Sequence, residues 1–358
     1  MKKINFYLLG LFLLLIAACN SDDNGNETTA PPKGEFTQGV FVLNEGGFMH
    51  GNASISFIAQ SGEIQNNIFS TVNNRPLGDV ANSISFHGEF AFIVVNNSNT
   101  VEVVNRYTFE SVATIAGNLS NPRYIEANQG KAYISNWGDG NDSEDDFIAV
   151  VDLNSFQITS TISVPQGPEK LAIHNNKLYI AQRGDYAYGN SISVMDLSSN
   201  TIVQSIEVAD VPNGMEIDNG HLYVLSSGKA AWTGNESLGA MQKINLANHQ
   251  TVDEFSFPLG VHPEYLQIEQ GNIYYIIGND IYKTTTTNMQ ATDVPFISTT
   301  TDGLGILYGF NVVNGWIYVC DAVDYVNNGQ LFVYSLTGNL DSHFPIGGVI
   351  PNGVYFNY

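Results

Sequence analysis

The sequence has few cysteines and few basic residues, and both shortages restrict what the protein can be. Cys19 and Cys320 are its only 2 cysteines in 358 residues, so a disulfide-rich scaffold is excluded. Lysine and arginine total 13 against 35 aspartate and glutamate residues, which gives a net charge of −22. Nucleic acid is therefore a poor candidate partner, because proteins bind it by neutralising its phosphates.

Motifs for catalysis and cofactors are also missing. The sequence contains no GxSxG elbow, HExxH, CxxC, Walker loop or GxGxxG after a strand. Its 7 histidines recur at no common position that would converge on a metal. The acidic segment 139–146 could offer oxygens to Ca²⁺, but it lacks the spacing of an EF-hand loop. We therefore predict no enzyme, no cofactor and no metal site, and leave calcium binding by that segment open.

One apolar run stands out, and it lies at the N terminus. Residues 6–16 are apolar after a basic start, which is too short for a transmembrane helix and is typical of a secretory signal. Small residues lead directly into Cys19, as in a bacterial lipobox. We predict a lipoprotein signal peptide over residues 1–18 and lipidation at Cys19, the alternative being an ordinary signal peptide with an incidental cysteine.

The residues after Cys19 predict a tether and a location. Residues 19–35 are almost free of apolar side chains, which is typical of a disordered segment. The acidic pair Asp22-Asp23 resembles the export signal of lipoproteins on the outer face of some Gram-negative outer membranes. We expect an outer-membrane lipoprotein exposed at the cell surface, with the periplasmic face as the alternative.

Residues 165–208 contain the pattern that organises the rest of the chain. Apolar and other residues alternate there in four short runs bounded by Asn, Gly and Pro: residues 169–173, 177–181, 191–196 and 201–208. Alternation with a period of two indicates strands. The segment therefore predicts a four-stranded antiparallel unit, here called a blade.

The blade pattern recurs along the chain. An aromatic residue marks the second strand of each unit, at intervals of 41 to 51 residues: Phe41, Phe92, Tyr133, Tyr179, Tyr223, Tyr274 and Tyr318. A proline opens the first strand of most units: Pro122, Pro168, Pro212, Pro263 and Pro351. This period predicts an all-β fold, a seven-bladed β-propeller over residues 36–358. Residues 350–358 match the first-strand pattern, so we expect them to complete the first blade and close the ring.

One face of the predicted propeller carries unusually long loops. The loops between second and third strands cover residues 44–52, 136–146, 182–190, 226–239 and 321–329. Loops longer than a hairpin needs tend to carry function. Each contains an aromatic residue, which either contacts a ligand or packs on another loop to stiffen the rim: Phe48, Trp137, Tyr186 with Tyr188, Trp232 and Tyr325.

Polar residues are expected around the channel mouth on the same face. Those that follow the recurring proline are Arg123, Glu169, Lys170, Asn213, Glu264 and Asn352. The long loops and the preceding connections add Asn44, Glu45, His50, Arg75, Asn136, Arg183 and His262. A concave mouth with aromatics and a few convergent polar groups is typical of a small-molecule site. These residues and the loop aromatics form the predicted ligand-binding set.

The repeat markers also resemble a known family. The Pro-x-x-aliphatic strands, the Tyr-Ile/Val strands and third strands such as 148–153 (IAVVDL) and 192–197 (ISVMDL) resemble YncE-like seven-bladed propellers. Residues 42–56 (VLNEGGFMHGNASIS) look like the start of a subgroup of lipid-anchored surface propellers that includes a vitamin B12 capture lipoprotein. The resemblance implies capture of cobalamin or another corrinoid, and its transfer to an outer-membrane TonB-dependent transporter.

Two other functions are kept as alternatives. The first is a protein–protein interaction propeller that docks a transporter or a matrix component through the same face. The second, less favoured, is a lyase or hydrolase acting on glycans, since carboxylates are abundant but no pair is marked by its surroundings. The protein is expected to be a monomer apart from the transporter, held to the membrane only through its lipid anchor.

Overall fold

The computed structural model describes residues 34–357. Over that range the chain forms 28 strands, one α-helix and two 3₁₀ helices. The strands form seven four-stranded sheets, each antiparallel throughout. The prediction of a seven-bladed β-propeller is confirmed. The signal peptide, Cys19 and nearly all of the tether lie outside the described residues.

Each blade takes four strands, numbered in chain order. Blade 1 contains β1 (Gly39–Asn44), β2 (Ser54–Ala59), β3 (Ile64–Gln65) and the C-terminal β28 (Pro351–Phe356). Blade 2 contains β4 (Ala81–His87), β5 (Phe90–Val95), β6 (Thr100–Asn105) and β7 (Ser111–Ala116). Blade 3 contains β8 (Pro122–Asn128), β9 (Lys131–Asn136), β10 (Phe147–Asp152) and β11 (Gln157–Ser163). Blade 4 contains β12 (Pro168–His174), β13 (Lys177–Gln182), β14 (Ser191–Asp196) and β15 (Thr201–Glu207).

The remaining blades follow the same order. Blade 5 contains β16 (Pro212–Asp218), β17 (His221–Ser226), β18 (Ala240–Asn245) and β19 (Thr251–Ser256). Blade 6 contains β20 (Glu264–Glu269), β21 (Asn272–Ile277), β22 (Asp280–Thr285) and β23 (Ile297–Ser298). Blade 7 contains β24 (Leu307–Val313), β25 (Trp316–Asp321), β26 (Asn328–Ser335) and β27 (Leu340–Val349).

The C-terminal strand closes the ring, as predicted. β28 pairs antiparallel with β1, placing Val42 opposite Val354 and Val40 opposite Phe356. The resulting strand order is β28-β1-β2-β3. Asn357 then donates from its side-chain amide to the backbone oxygen of Phe36, at 2.8 Å. Both ends of the described chain are therefore held in one blade.

The core lies between neighbouring blades, because a single sheet cannot cover its own two faces. Six of the seven aromatic markers are at most 1% exposed: Phe41, Phe92, Tyr133, Tyr179, Tyr223 and Tyr274. The first strand of each blade contacts the first strands of the blades on either side. These seven inner strands therefore line a central channel.

The connection from β3 to β4 contains a feature that the sequence did not predict. It forms the short helix α1 (Ile68–Asn73), which packs on β2 with Ile68 and Phe69 buried. Arg75 follows the helix and lies over the Phe69 ring at 4.7 Å. In the described part of the chain, no helix has the length and apolar character needed to cross a membrane.

Candidate functional site: the long-loop face

Five loops dominate one face of the propeller. Residues 45–53, 137–146, 183–190, 227–239 and 322–327 connect the second and third strands of blades 1, 3, 4, 5 and 7. The matching connections in blades 2 and 6 are only residues 96–99 and 278–279. Strand order places all seven connections on the same side of the ring. This side is called the long-loop face, and the ends of the inner strands there form the mouth of the channel.

Large apolar side chains are exposed on these loops. Trp232 is 84% exposed, Tyr186 72% and Phe48 66%. We define the rim as the exposed apolar residues of the long loops: Phe48, Met49, Tyr186, Tyr188, Trp232, Leu238, Tyr325 and Val326. Exposed apolar side chains gathered on one surface mark an interaction site.

The rim does not include Trp137, for which the sequence left ligand contact and packing against another loop both open. Trp137 is only 7% exposed. Its ring packs against the Arg123 guanidinium at 4.1 Å and edge-on against Tyr186 at 6.3 Å. These two contacts hold Trp137 in place, so it stiffens the rim. Tyr325 packs similarly against Tyr308, with ring centroids 5.4 Å apart, but remains partly exposed.

A buried ion pair joins blades 3 and 4 at the mouth. Arg123 donates from Nε to Glu169 Oε2 at 3.0 Å and from Nη2 to Glu169 Oε1 at 2.9 Å. The two side chains are 18% and 8% exposed. Both predicted mouth residues are thus brought together, but their polar atoms face each other. The pair fixes the geometry of the mouth.

Asparagines at the equivalent position tie other blades together. Asn213 donates to the backbone oxygen of Pro263 in the next blade at 3.2 Å. Asn352 donates to the backbone oxygen of Ala81 at 2.9 Å. Asn82 donates in the same way to the backbone oxygen of Arg123, at 2.6 Å. The polar residue after the first-strand opening therefore connects neighbouring blades, a structural role that sequence alone did not reveal.

Besides the Arg123–Glu169 pair, two groups of charged side chains lie at the mouth. Glu45 interacts with Tyr308 and Asn352; burial raises the Glu45 pKa, and the positive charge of Arg123 partly offsets the rise. In blade 6, desolvation raises the pKa of Glu264, while Arg183 and His262 lower it. These carboxylates come from loops and strands of different blades.

His262 and His50 differ in how they are held. The Nδ1 atom of His262 lies 2.8 Å from the backbone oxygen of Ser227, and its Nε2 lies 3.4 Å from Glu236. His50 is exposed on a loop held by Asp79, which accepts from the backbone nitrogen of Met49 at 2.9 Å. Asp79 lies in the connection to blade 2 and was missed by the sequence reading.

Three predicted contact residues are not brought to the open mouth. Asn44 and Asn136 are fully buried, Asn44 donating to two serines of β2 and Asn136 to the backbone of Ile134. Arg75 pairs with Glu102 of β6 at 2.9 and 2.7 Å. Arg75 therefore stabilises the α1 connection against blade 2.

The channel below the mouth holds acidic groups that the sequence did not identify. Lys170 points toward the Tyr124 ring at 5.9 Å. Burial raises the pKa of Glu216 to about 7, and Lys170 partly offsets the rise. Burial, and secondarily Glu216, raise the Glu126 pKa to about 7. Glu216 also accepts from Gln267 Nε2 at 3.2 Å. Nothing in their local sequence marks these glutamates, since they meet only when the ring closes.

Within residues 34–357, no cluster of three or more His, Cys, Asp or Glu side chains is arranged to hold a metal ion. Cys320 is a fully buried free thiol whose pKa burial raises far above its ordinary value. Neither observation supplies a reactive centre at the mouth. The site offers apolar surface, hydrogen-bonding groups and a few charges.

These features define the protein as a seven-bladed β-propeller with a built-up surface on one face. Residues 38–339 match DUF5074, a domain of unknown function. The chain belongs to this family. A comparison with curated proteins found no match.

Solved structures share the fold at low sequence identity. A quinoprotein alcohol dehydrogenase-like protein from Bacteroides thetaiotaomicron is 15% identical with a TM-score of 0.65, covering 90% of this chain and 79% of that one. A functionally unknown protein from Desulfotomaculum acetoxidans is 12% identical with a TM-score of 0.64, covering 89% and 98%. A dihydro-heme d1 dehydrogenase is 11% identical with a TM-score of 0.56, covering 92% and 78%. These likenesses establish the fold alone.

Proposed function

We propose that this protein is a non-catalytic surface lipoprotein that captures a corrinoid, with cobalamin preferred, on its long-loop face. It then passes the ligand to an outer-membrane TonB-dependent transporter. The observation that carries the proposal is the rim of exposed aromatic and aliphatic side chains around a polar mouth. The surface location rests on the lipobox-like residues before Cys19 and on Asp22-Asp23.

The rim provides the binding energy in this proposal. Covering one large apolar side chain contributes about 1.5 to 3 kcal/mol. Trp232, Tyr186 and Phe48 extend from three different blades toward solvent. A ligand that touches all three gains several such contributions, against the cost of losing its free motion.

The mouth provides orientation. A corrinoid presents a broad apolar macrocycle edged with amide groups, which both donate and accept hydrogen bonds. Glu45 and Glu264 can accept from such amides, while Lys170 and Arg183 can donate to them. The Arg123–Glu169 pair keeps this surface in shape, because each partner satisfies the other. Holding and orienting a ligand in this way requires no bond to be broken.

A second candidate is docking of a folded protein through the same face. It is favoured by the spread of the rim over blades 1, 4, 5 and 7 and by its aromatic content. Aromatic residues are enriched at the centres of protein interfaces. In this alternative the transporter or a matrix component covers the rim directly, with no small molecule between them.

Affinity purification of the tagged full chain from membranes of the native cells, with and without cyanocobalamin, separates the two candidates. Capture predicts that a corrinoid absorption spectrum and the transporter elute with the protein, and that a Tyr186→Ala/Trp232→Ala variant loses the corrinoid. Val203→Ala, which removes an exposed apolar side chain from the outer strand β15, serves as the control. A transporter or matrix component that is retained without corrinoid would favour docking. Elution of the protein with no corrinoid and no partner protein would overturn both candidates.

A further inference from the structure

Two buried carboxyl groups face each other beneath the rim. Asp146 ends the 137–146 loop of blade 3, and Asp185 lies in the 183–190 loop of blade 4. They are only 1% and 6% exposed. Each lies close enough to the other to change its pKa through a side-chain interaction. The contact joins two of the five long loops.

The protein does not satisfy these oxygens. Oδ1 of Asp146 accepts from the backbone nitrogen of Gly167 at 3.2 Å. Its Oδ2, and both carboxylate oxygens of Asp185, have no hydrogen-bond donor. The Gln166 side chain lies beside Asp185 and lowers its pKa. Three acceptor atoms of the pair are thus buried without a donor, and a buried acceptor without a donor destabilises the folded state.

The surrounding negative charges further disfavour the ionised forms of Asp146 and Asp185 when no cation is bound. Asp145 and Asp142 act on Asp146, and Glu169 acts on Asp185, each with the same negative sign. Arg123, which contacts Trp137 of the blade 3 loop, is already engaged by Glu169. Two carboxylates cannot both remain ionised in such a place unless a positive charge lies between them.

We propose that Asp146 and Asp185 bind one calcium ion, which bridges the loops of blades 3 and 4. This site goes beyond the corrinoid proposal and does not depend on it. Ca²⁺ suits an all-oxygen site with irregular geometry, whereas Mg²⁺ demands a near-ideal octahedron. The protein supplies the unpaired oxygens of Asp146 and Asp185. Water completes the coordination sphere, so no third carboxylate is required.

Binding would also position part of the rim. The Tyr186 ring lies against Gly140 of the acidic loop, where an added Cβ would come within 2.7 Å of it. Tyr186 also packs edge-on against Trp137. Because Tyr186 directly follows Asp185, an ion bound to Asp185 would fix the backbone that carries the Tyr186 ring. It would thereby hold the contacts of that ring with Gly140 and Trp137.

The test uses the full chain after treatment with EDTA, with CaCl₂ as the probe. Calorimetry is expected to show one Ca²⁺ bound per chain, and about 1 mM CaCl₂ is expected to raise Tm by about 2 to 4 °C. Asp185→Asn keeps the shape of the side chain but weakens binding at least about tenfold. In EDTA, the same variant is expected to melt above the parent, because it removes the repulsion. Asp253→Asn, an exposed acid of β19, behaves as the parent.

Several results would overturn the assignment. Absence of heat and of any Tm change with CaCl₂ would exclude the site, and so would undiminished binding by Asp185→Asn. An equal response to MgCl₂ would exclude calcium selectivity. If Tm responds to acid but not to CaCl₂, and Asp185→Asn removes that response, the two carboxyl groups share a proton and hold no ion.

Discussion

Replacing Arg123 with methionine tests whether the mouth is held by a buried ion pair. The change removes two charge-assisted hydrogen bonds, at 3.0 and 2.9 Å, and leaves Glu169 mostly buried beside an apolar side chain. Removing one partner of a buried pair costs about 3 to 5 kcal/mol. The lost contact with the Trp137 ring adds about 1 to 2 kcal/mol. We expect the free energy of unfolding to fall by about 3 to 5 kcal/mol, since some exposure of Arg123 weakens both terms.

Urea denaturation followed by circular dichroism measures this loss. The double variant Arg123→Met/Glu169→Gln is expected to lose less than Arg123→Met alone, because no uncompensated charge remains. Lys131→Met, at an exposed position that opens β9, should change stability by less than about 0.5 kcal/mol. A loss below about 1 kcal/mol for Arg123→Met would refute the reasoning, since that is the value of an exposed pair.

Three further predictions follow from burial. In urea denaturation, Trp137→Ala should lower the free energy of unfolding by about 3 to 5 kcal/mol. Trp232→Ala and Tyr186→Ala should each lower it by less than about 0.5 kcal/mol. Equal losses for the three variants would contradict their different exposures. Burial raises the Glu216 pKa from 4.5 to about 7, so its stabilising contribution is complete below pH 4.5 and is lost as the pH rises through 7. Glu216→Gln should therefore flatten the fall in Tm between pH 5 and 8, and an unchanged slope would argue against it. Cys320 should react with a thiol reagent only after unfolding; rapid reaction of the native protein would contradict its burial.

The architecture could be predicted because its determinants are local and repeated. Tyr179 and the other aromatic markers occupy the second strand of every blade. The side chains of that strand that face a neighbouring blade must be apolar, because the blades stack on each other. Residues 351–356 carried the same first-strand pattern, so their pairing with β1 followed from the missing strand in blade 1. In both cases a short stretch of sequence determines the structural role.

The roles of individual site residues could not be predicted, because they depend on contacts between blades. Trp137 and Trp232 occur on similar polar loops, yet one is buried on Arg123 and the other is exposed. Asn213 was predicted as a ligand contact, but its side chain donates a hydrogen bond to the backbone of Pro263 in the neighbouring blade. Glu126 and Glu216 are distant in sequence and meet in the channel. Such pairings arise from the closed ring and leave no local pattern.

Calorimetric titration of the protein with cyanocobalamin tests the central claim most directly. The account predicts binding of one molecule, clearly weakened in the Tyr186→Ala/Trp232→Ala variant and unchanged in Val203→Ala. That result would establish both the ligand class and the long-loop face as its site. Absence of heat, together with an unchanged Tm at saturating cyanocobalamin, would contradict corrinoid capture and leave protein docking as the function of the rim.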